Sequence, residues 1–116
     1  MNCSMNFEIT ATPDFRKSLK ALAKKYRSIK SDLKRFSESL KEKPFQGTEL
    51  TPGIRKIRMA IESKNRGKSG GARVITYTVL ASEIDGHIYL IDIYDKSEFT
   101  SVDIKLLQKK VKEIEQ

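Results

Sequence analysis

Apolar residues recur along this chain with two periods, and each change of period marks a change of element. Phe7-Glu8-Ile9-Thr10 alternates apolar and polar, the pattern of a short half-buried strand. From Phe15 the period lengthens. Phe15, Leu19, Leu22 and Tyr26 are spaced four, three and four, which makes one stripe of an amphipathic helix. Thr12-Pro13 predicts its start, because the Thr12 side chain can accept a backbone N–H and proline suits the first helical position. Ile29, Leu33, Phe36 and Leu40 repeat the spacing, with Ser28 as a candidate N-cap and Lys43-Pro44 as the stop. The two stripes share one register, so a single long helix from Phe15 to Leu40 also fits. A hairpin of two helices broken near Arg27-Ser28 is preferred, because one domain must fold both stripes onto its own strands.

Phe45 to Gly53 reads as a connector rich in turn residues. A strand then runs from Ile54 to about Glu62, with Ile57, Met59 and Ile61 on the core face and Lys56, Arg58 and Ala60 on the other. Two-residue spacing sets those two cations about 7 Å apart. After the basic glycine-rich loop Ser63–Gly71, Arg73 opens a strand, Val74–Leu80, that is apolar and β-branched on both faces, as a central strand would be. Asp85-Gly86 predicts a hairpin turn. In the last strand, Ile88–Tyr94, strict alternation puts Tyr89, Ile91 and Ile93 on the core face and Asp92, Tyr94 and Lys96 opposite. Thr100 with Asp103 resembles a capping box, and Ile104, Leu107, Val111 and Ile114 form the stripe of a closing helix. The order β-α-α-β-β-β-α predicts an α+β fold: an antiparallel sheet with a helical hairpin on one face, a C-terminal helix, and the other face partly open. One domain is expected over 1–116, with residues 1–5 flexible.

Composition adds a partner to this scaffold. A formal charge of +8 on 116 residues points to an anionic one. Between Gly53 and Tyr77 stand seven basic residues (Arg55, Lys56, Arg58, Lys64, Arg66, Lys68 and Arg73) against one acid, Glu62. The basic residues of the helical stretch, Arg16 to Arg35, read mostly as a solvated face. Gly67-Lys68-Ser69 is not a phosphate-binding P-loop: the upstream glycine of that motif would fall on Glu62, and no helix is predicted to follow. One histidine, one cysteine and no clustered carboxylates argue against a metal-dependent hydrolase, so neither metal nor cofactor is expected. His87 sits beside a turn and reads as a surface residue. Cys3 alone can form no internal disulfide, which fits a reducing cytoplasm. The first residues lack the charged and apolar regions of a signal peptide, and no run approaches the ~18 apolar residues of a membrane helix.

In Lys56-Ile57-Arg58, Gly70-Gly71-Ala72-Arg73-Val74-Ile75-Thr76-Tyr77 and Ile93-Tyr94-Asp95-Lys96-Ser97-Glu98, together with the turn Lys43-Pro44-Phe45, the chain resembles the RelE/ParE superfamily of bacterial toxins, and within it the HigB-like RelE branch. The resemblance covers nearly the whole chain in element order. It implies a ribosome-dependent endonuclease that cuts messenger RNA in the decoding (A) site and is neutralised by a cognate antitoxin protein. Lys56 and Arg58 match the paired basic positions of the second strand, Arg73 the arginine that opens the third, and Lys96 the basic residue after the fourth. The family's best-known members carry a catalytic tyrosine near the last helix; here that region is Phe99-Thr100-Ser101-Val102, and Tyr94 is the nearest phenol. The ParE branch of the same fold poisons DNA gyrase without chemistry, which is the alternative function.

The residues themselves support RNA cleavage without metal. RNA supplies its own nucleophile, the 2′-hydroxyl. Arg58 and Arg73 are candidates to stabilise the charge developing on the phosphate. Lys56 or Lys96 is a candidate acid or base, and Tyr94 a proton donor or a surface on which a base stacks. Tyr94 and Tyr77 read equally well as core or edge aromatics. Arg55, Lys64, Arg66 and Lys68 are expected to grip ribosomal RNA phosphates.

Overall fold

The computed structural model describes residues 6–64, 70–98 and 102–115. Within them the elements are β1 (Asn6–Ala11), α1 (Pro13–Lys25), α2 (Ile29–Glu42), β2 (Thr48–Thr51), β3 (Ile54–Met59), a single 3-10 turn (Glu62–Lys64), β4 (Ala72–Leu80), β5 (Asp85–Asp95) and α3 (Ile104–Glu115). The fold is α+β. Its five strands form one sheet in the order β1-β5-β4-β3-β2. Pairing is antiparallel from β2 to β5, but β1 runs parallel to β5 and makes the sheet mixed. The wholly antiparallel sheet expected from sequence is therefore corrected. Hairpin signals fix direction only between strands joined by short turns, and β1 leads into a helix.

Local chemistry sets the helix boundaries. Thr12 Oγ1 accepts from the Phe15 backbone N–H at 3.3 Å, with proline at the first position of α1. The break between α1 and α2 falls at Tyr26–Ser28, which makes a helical hairpin and excludes one long helix. Ser28 holds the N-cap position but makes no capping bond; its Oγ donates to Asp32 and accepts from the Ser63 N–H at 2.8 Å. Asp103 caps α3, its Oδ1 accepting from the Leu106 N–H at 3.2 Å, while Thr100 lies outside the described residues.

The helical hairpin buries Phe15, Leu22, Ile29, Phe36 and Leu40 against Phe7, Ile57, Met59, Ile61, Val74, Ile88, Leu90 and Ile93. Each large apolar side chain buried this way contributes about 1.5–3 kcal/mol. The opposite face, expected to be partly open, carries α3. Leu107 and Val111 pack there on Ile54, Ile75 and Ile91.

Two details depart from simple alternation. The segment taken for a connector contains β2, turned into β3 through Pro52-Gly53, and Gly53 has φ +82°, the left-handed conformation required at the third position of a type II turn. In β5, pairing shifts from Ile75↔Asp92 to Thr76↔Leu90, so Ile91 is an extra, bulged residue. One extra residue inverts the faces of what precedes it. Ile93 faces the helical hairpin, whereas Ile91 faces α3, and Tyr89 stacks on Tyr77 of the α3 face. The common core face expected for Tyr89, Ile91 and Ile93 does not exist. Asp92, expected on the face away from the helical pair, accepts from Ser18 Oγ of α1 at 2.8 Å.

Candidate functional site

Strand register builds the site. Arg58 of β3 pairs with Arg73 of β4, and Arg73 with Tyr94 of β5. The three residues form one row across adjacent strands spaced about 4.8 Å apart. Lys56 lies two residues along β3, opposite Ile75, and extends the row on the same face. Ile54, Ile75 and Tyr94 of this face pack in the cluster under α3. Helix and cationic row therefore share one surface, with the apolar cluster beneath α3 as one wall of the site.

Arg73 is the unusual member. It is only 7 % exposed, and its Nη1 donates to the Ala72 carbonyl at 3.1 Å. Burial, with Arg58 alongside, lowers its pKa from the ordinary arginine value, while Tyr94 acts the other way. A guanidinium remains the charged species at neutral pH, so the strand pairing sets a buried cation beside an exposed one, Arg58. Two guanidinium groups side by side on one row make a surface suited to a phosphate. Burial raises the pKa of Tyr94, against the opposing pull of Arg73 and with a further rise from Asp92. Its phenol is thus kept protonated through neutral pH.

Lys96 follows directly on β5. Its backbone N–H donates to the Gly71 carbonyl at 3.1 Å, which holds it beside the start of β4, and its side chain is exposed. Arg55 is not part of this surface. By alternation it falls on the other face of β3, where Nη1 donates to the Phe45 carbonyl at 2.8 Å and the guanidinium lies over the Phe45 ring. Lys64 is also elsewhere: its Nζ pairs with Asp95 Oδ1 at 2.6 Å and lies over the Tyr26 ring. Arg66 and Lys68 lie outside the described residues. His87 stacks on Tyr89 at 4.3 Å near the start of β5, away from the row.

Asp95 is the residue that sequence reasoning passed over. Its side chain is fully buried and accepts from Lys64, from Tyr26 Oη at 2.5 Å, and from the Ser97 N–H and Oγ at 3.0 and 2.9 Å. Burial alone would raise its pKa, but the Lys64, Tyr26 and Ser97 hydrogen bonds outweigh that and hold it far below the usual carboxylate range. It thereby ties the end of α1 and the 3-10 turn to the turn that carries Lys96. The signal was available: a carboxylate that alternates onto the core face at a strand end must find a cation.

Among the described residues no group of three or more histidine, cysteine, aspartate or glutamate side chains is placed to hold a metal ion. No helix among them is long and apolar enough to cross a membrane. Compared with known proteins, the chain matches no family model and no curated protein.

Proposed function

We propose that this chain is a RelE-like toxin of a type II toxin–antitoxin system, a metal-independent endoribonuclease that cuts messenger RNA in the ribosomal A site in the cytoplasm and so inhibits translation. One observation carries the reading: the Arg58–Arg73–Tyr94 row, with Lys56 beside it, concentrates three cations and a protonated phenol on a single sheet face. The scissile phosphate lies over Arg58 and Arg73, which stabilise the extra negative charge of the phosphorane. The 2′-oxygen attacks phosphorus, and Lys56 or Lys96 takes its proton. The bond from phosphorus to the 5′-oxygen breaks, and Tyr94 protonates that leaving oxygen. The products are a 2′,3′-cyclic phosphate and a 5′-hydroxyl. Exposed Lys96, with Arg66 and Lys68 of the basic segment, contributes the salt-sensitive attraction to ribosomal RNA. A cognate antitoxin would neutralise the protein by covering the cationic face or displacing α3.

The test is to incubate the protein with ribosomes programmed with messenger RNA and to map 5′ ends, with wild type, Arg73→Ala and Tyr94→Phe side by side. Cuts within the A-site codon are expected, about 10²–10³-fold slower for Arg73→Ala. An intact message at stoichiometric protein, on ribosomes active in translation, overturns the proposal. Inhibition of gyrase supercoiling with no RNA cuts would assign the protein to the ParE-like reading instead.

A further inference from the structure

β2 covers only part of β3. Its register with β3 spans Ile54 to Lys56 and stops, so the outer edge of Ile57–Met59 has no strand beside it. Between that edge and α2 lies a cleft of about 390 Å³. Phe36 and Met59 supply an apolar floor, Ser39 and Gln46 supply hydrogen-bonding groups, and Arg58 lines the same cleft. Arg58 thus belongs both to the cationic row and to the cleft.

We infer that this cleft is a base-recognition subsite, which receives one unstacked nucleobase of the RNA strand whose phosphate lies on Arg58 and Arg73. The inference rests on the proposed function and adds to it the part of the substrate that is read.

The chemistry of the walls argues for a base. The volume falls within the range of small-ligand sites, mostly apolar with a few placed polar groups. Phe36 and Met59, 6 % and 2 % exposed, form the apolar floor of the cleft rather than an open stacking face. The Gln46 amide nitrogen donates to the Lys43 carbonyl at 3.1 Å and to Ser39 Oγ at 3.3 Å, bonds that fix the carboxamide without using its oxygen. That oxygen and the Ser39 hydroxyl proton are an acceptor and a donor of the kind that reads the edge of a base. Asp32 and Glu62 bring negative charge to one end of the cleft, but Arg35 binds both carboxylates, and Asp32 also accepts from Ser28 and the Glu62 N–H. Asp32 is buried and committed to the fold, whereas Glu62 is an exposed carboxylate offset at the surface by Arg35. The remaining cation, Arg58, sets the polarity: anionic group toward the row, uncharged ring toward Phe36.

The experiment is an amide NMR titration of the ¹⁵N-labelled full chain with each of the four 5′-ribonucleoside monophosphates, and with ribose 5-phosphate and inorganic phosphate. At least one nucleotide is expected to shift the Gln46 side-chain amide and the Ser39 and Ala60 backbone amides, whereas the two base-free phosphates shift only signals around Arg58 and Arg73. Gln46→Ala should weaken the nucleotide response roughly 3–10-fold, the worth of one hydrogen bond, and Ser39→Leu, which fills the cleft, should abolish it with melting unchanged. Cleft signals that move equally with ribose 5-phosphate, or with no nucleotide at all, overturn the inference. The titration needs neither ribosome nor cleavage. A cleft that binds nucleotides in a protein that leaves messages intact would remove the proposed function alone; A-site cutting with a silent cleft would remove the subsite alone.

Discussion

Replacing Lys64 with methionine tests the assignment of that residue to the interior of the fold. Lys64 was expected to meet RNA phosphates, yet its side chain is 15 % exposed and its partner Asp95 is wholly buried. Methionine keeps the apolar stem and removes the charge. Asp95 then keeps Tyr26 and Ser97, but its remaining cation is Lys25, 3.7 Å away and largely exposed. Breaking a buried ion pair from one side costs about 3–5 kcal/mol, because the abandoned charge stays desolvated. The surviving hydrogen bonds place this case at the lower end, ~3 kcal/mol. Against a total stability of ~5–15 kcal/mol that is a large fraction. With a slope of ~1–3 kcal/mol per molar urea, the unfolding midpoint should fall by ~1–3 M. Adding Asp95→Asn to Lys64→Met should recover part of the loss, since the stranded charge is then gone. The pH dependence follows from the depressed carboxylate of Asp95. Its stabilisation is fully present above the unfolded value of about 3.9 and is lost as pH falls below that toward the folded value. Asp95→Asn should therefore flatten the acid limb of the stability profile. A Lys64→Met change below ~1 kcal/mol, the worth of an exposed pair, would refute the reasoning.

Three further outcomes are expected. Thr76 is fully buried and its Oγ1 has no hydrogen-bond partner among the described residues, so Thr76→Val should be neutral or stabilise by up to about 1 kcal/mol in urea unfolding. Gly53→Ala should destabilise by about 1–3 kcal/mol, because φ is +82° and a Cβ would stand 2.9 Å from the Tyr77 ring; a rise in melting temperature would contradict this. The Tyr77 hydroxyl bonds Glu115 of α3, and that bond, with burial and the nearby Glu115 charge, pushes its pKa up to about 12. Stability from this contact is fully present below the unfolded value near 10 and lost as pH rises from there through about 12; Tyr77→Phe should remove that alkaline limb, as read by circular dichroism.

While the structure settled that the first two stripes form a hairpin and not one helix, the sequence by itself determined the helical stripes, the segments of β1, β3, β4 and β5 to within a few residues, and the cations of the candidate site. Those features are local. Thr12-Pro13 and the two four-three-four stripes each write their physics within a few residues, whereas Asp85-Gly86, expected as the hairpin turn, pairs inside β5 and the turn falls at 81–84. Alternation along β3 was enough to separate Lys56 and Arg58 from Ile57 and Met59, because that strand is regular. Only the tertiary structure decided the rest. β2 is four residues long and without a decisive apolar pattern, so its pairing with β3 is what makes it a strand. The direction of β1 is set by its parallel pairing with β5, a strand that lies far from it in the sequence. The bulge at Ile91 reverses the faces of β5, and a one-residue insertion leaves no mark in composition. Lys64 and Arg55 carry the same charges as Lys56 and Arg58, and nothing in a list of residues says which cations meet a buried carboxylate or a backbone carbonyl and which stay on a working face. That choice is made by packing: a buried carboxylate must find its counter-charge, and Asp95 finds Lys64 only when β5, α1 and the 3-10 turn come together.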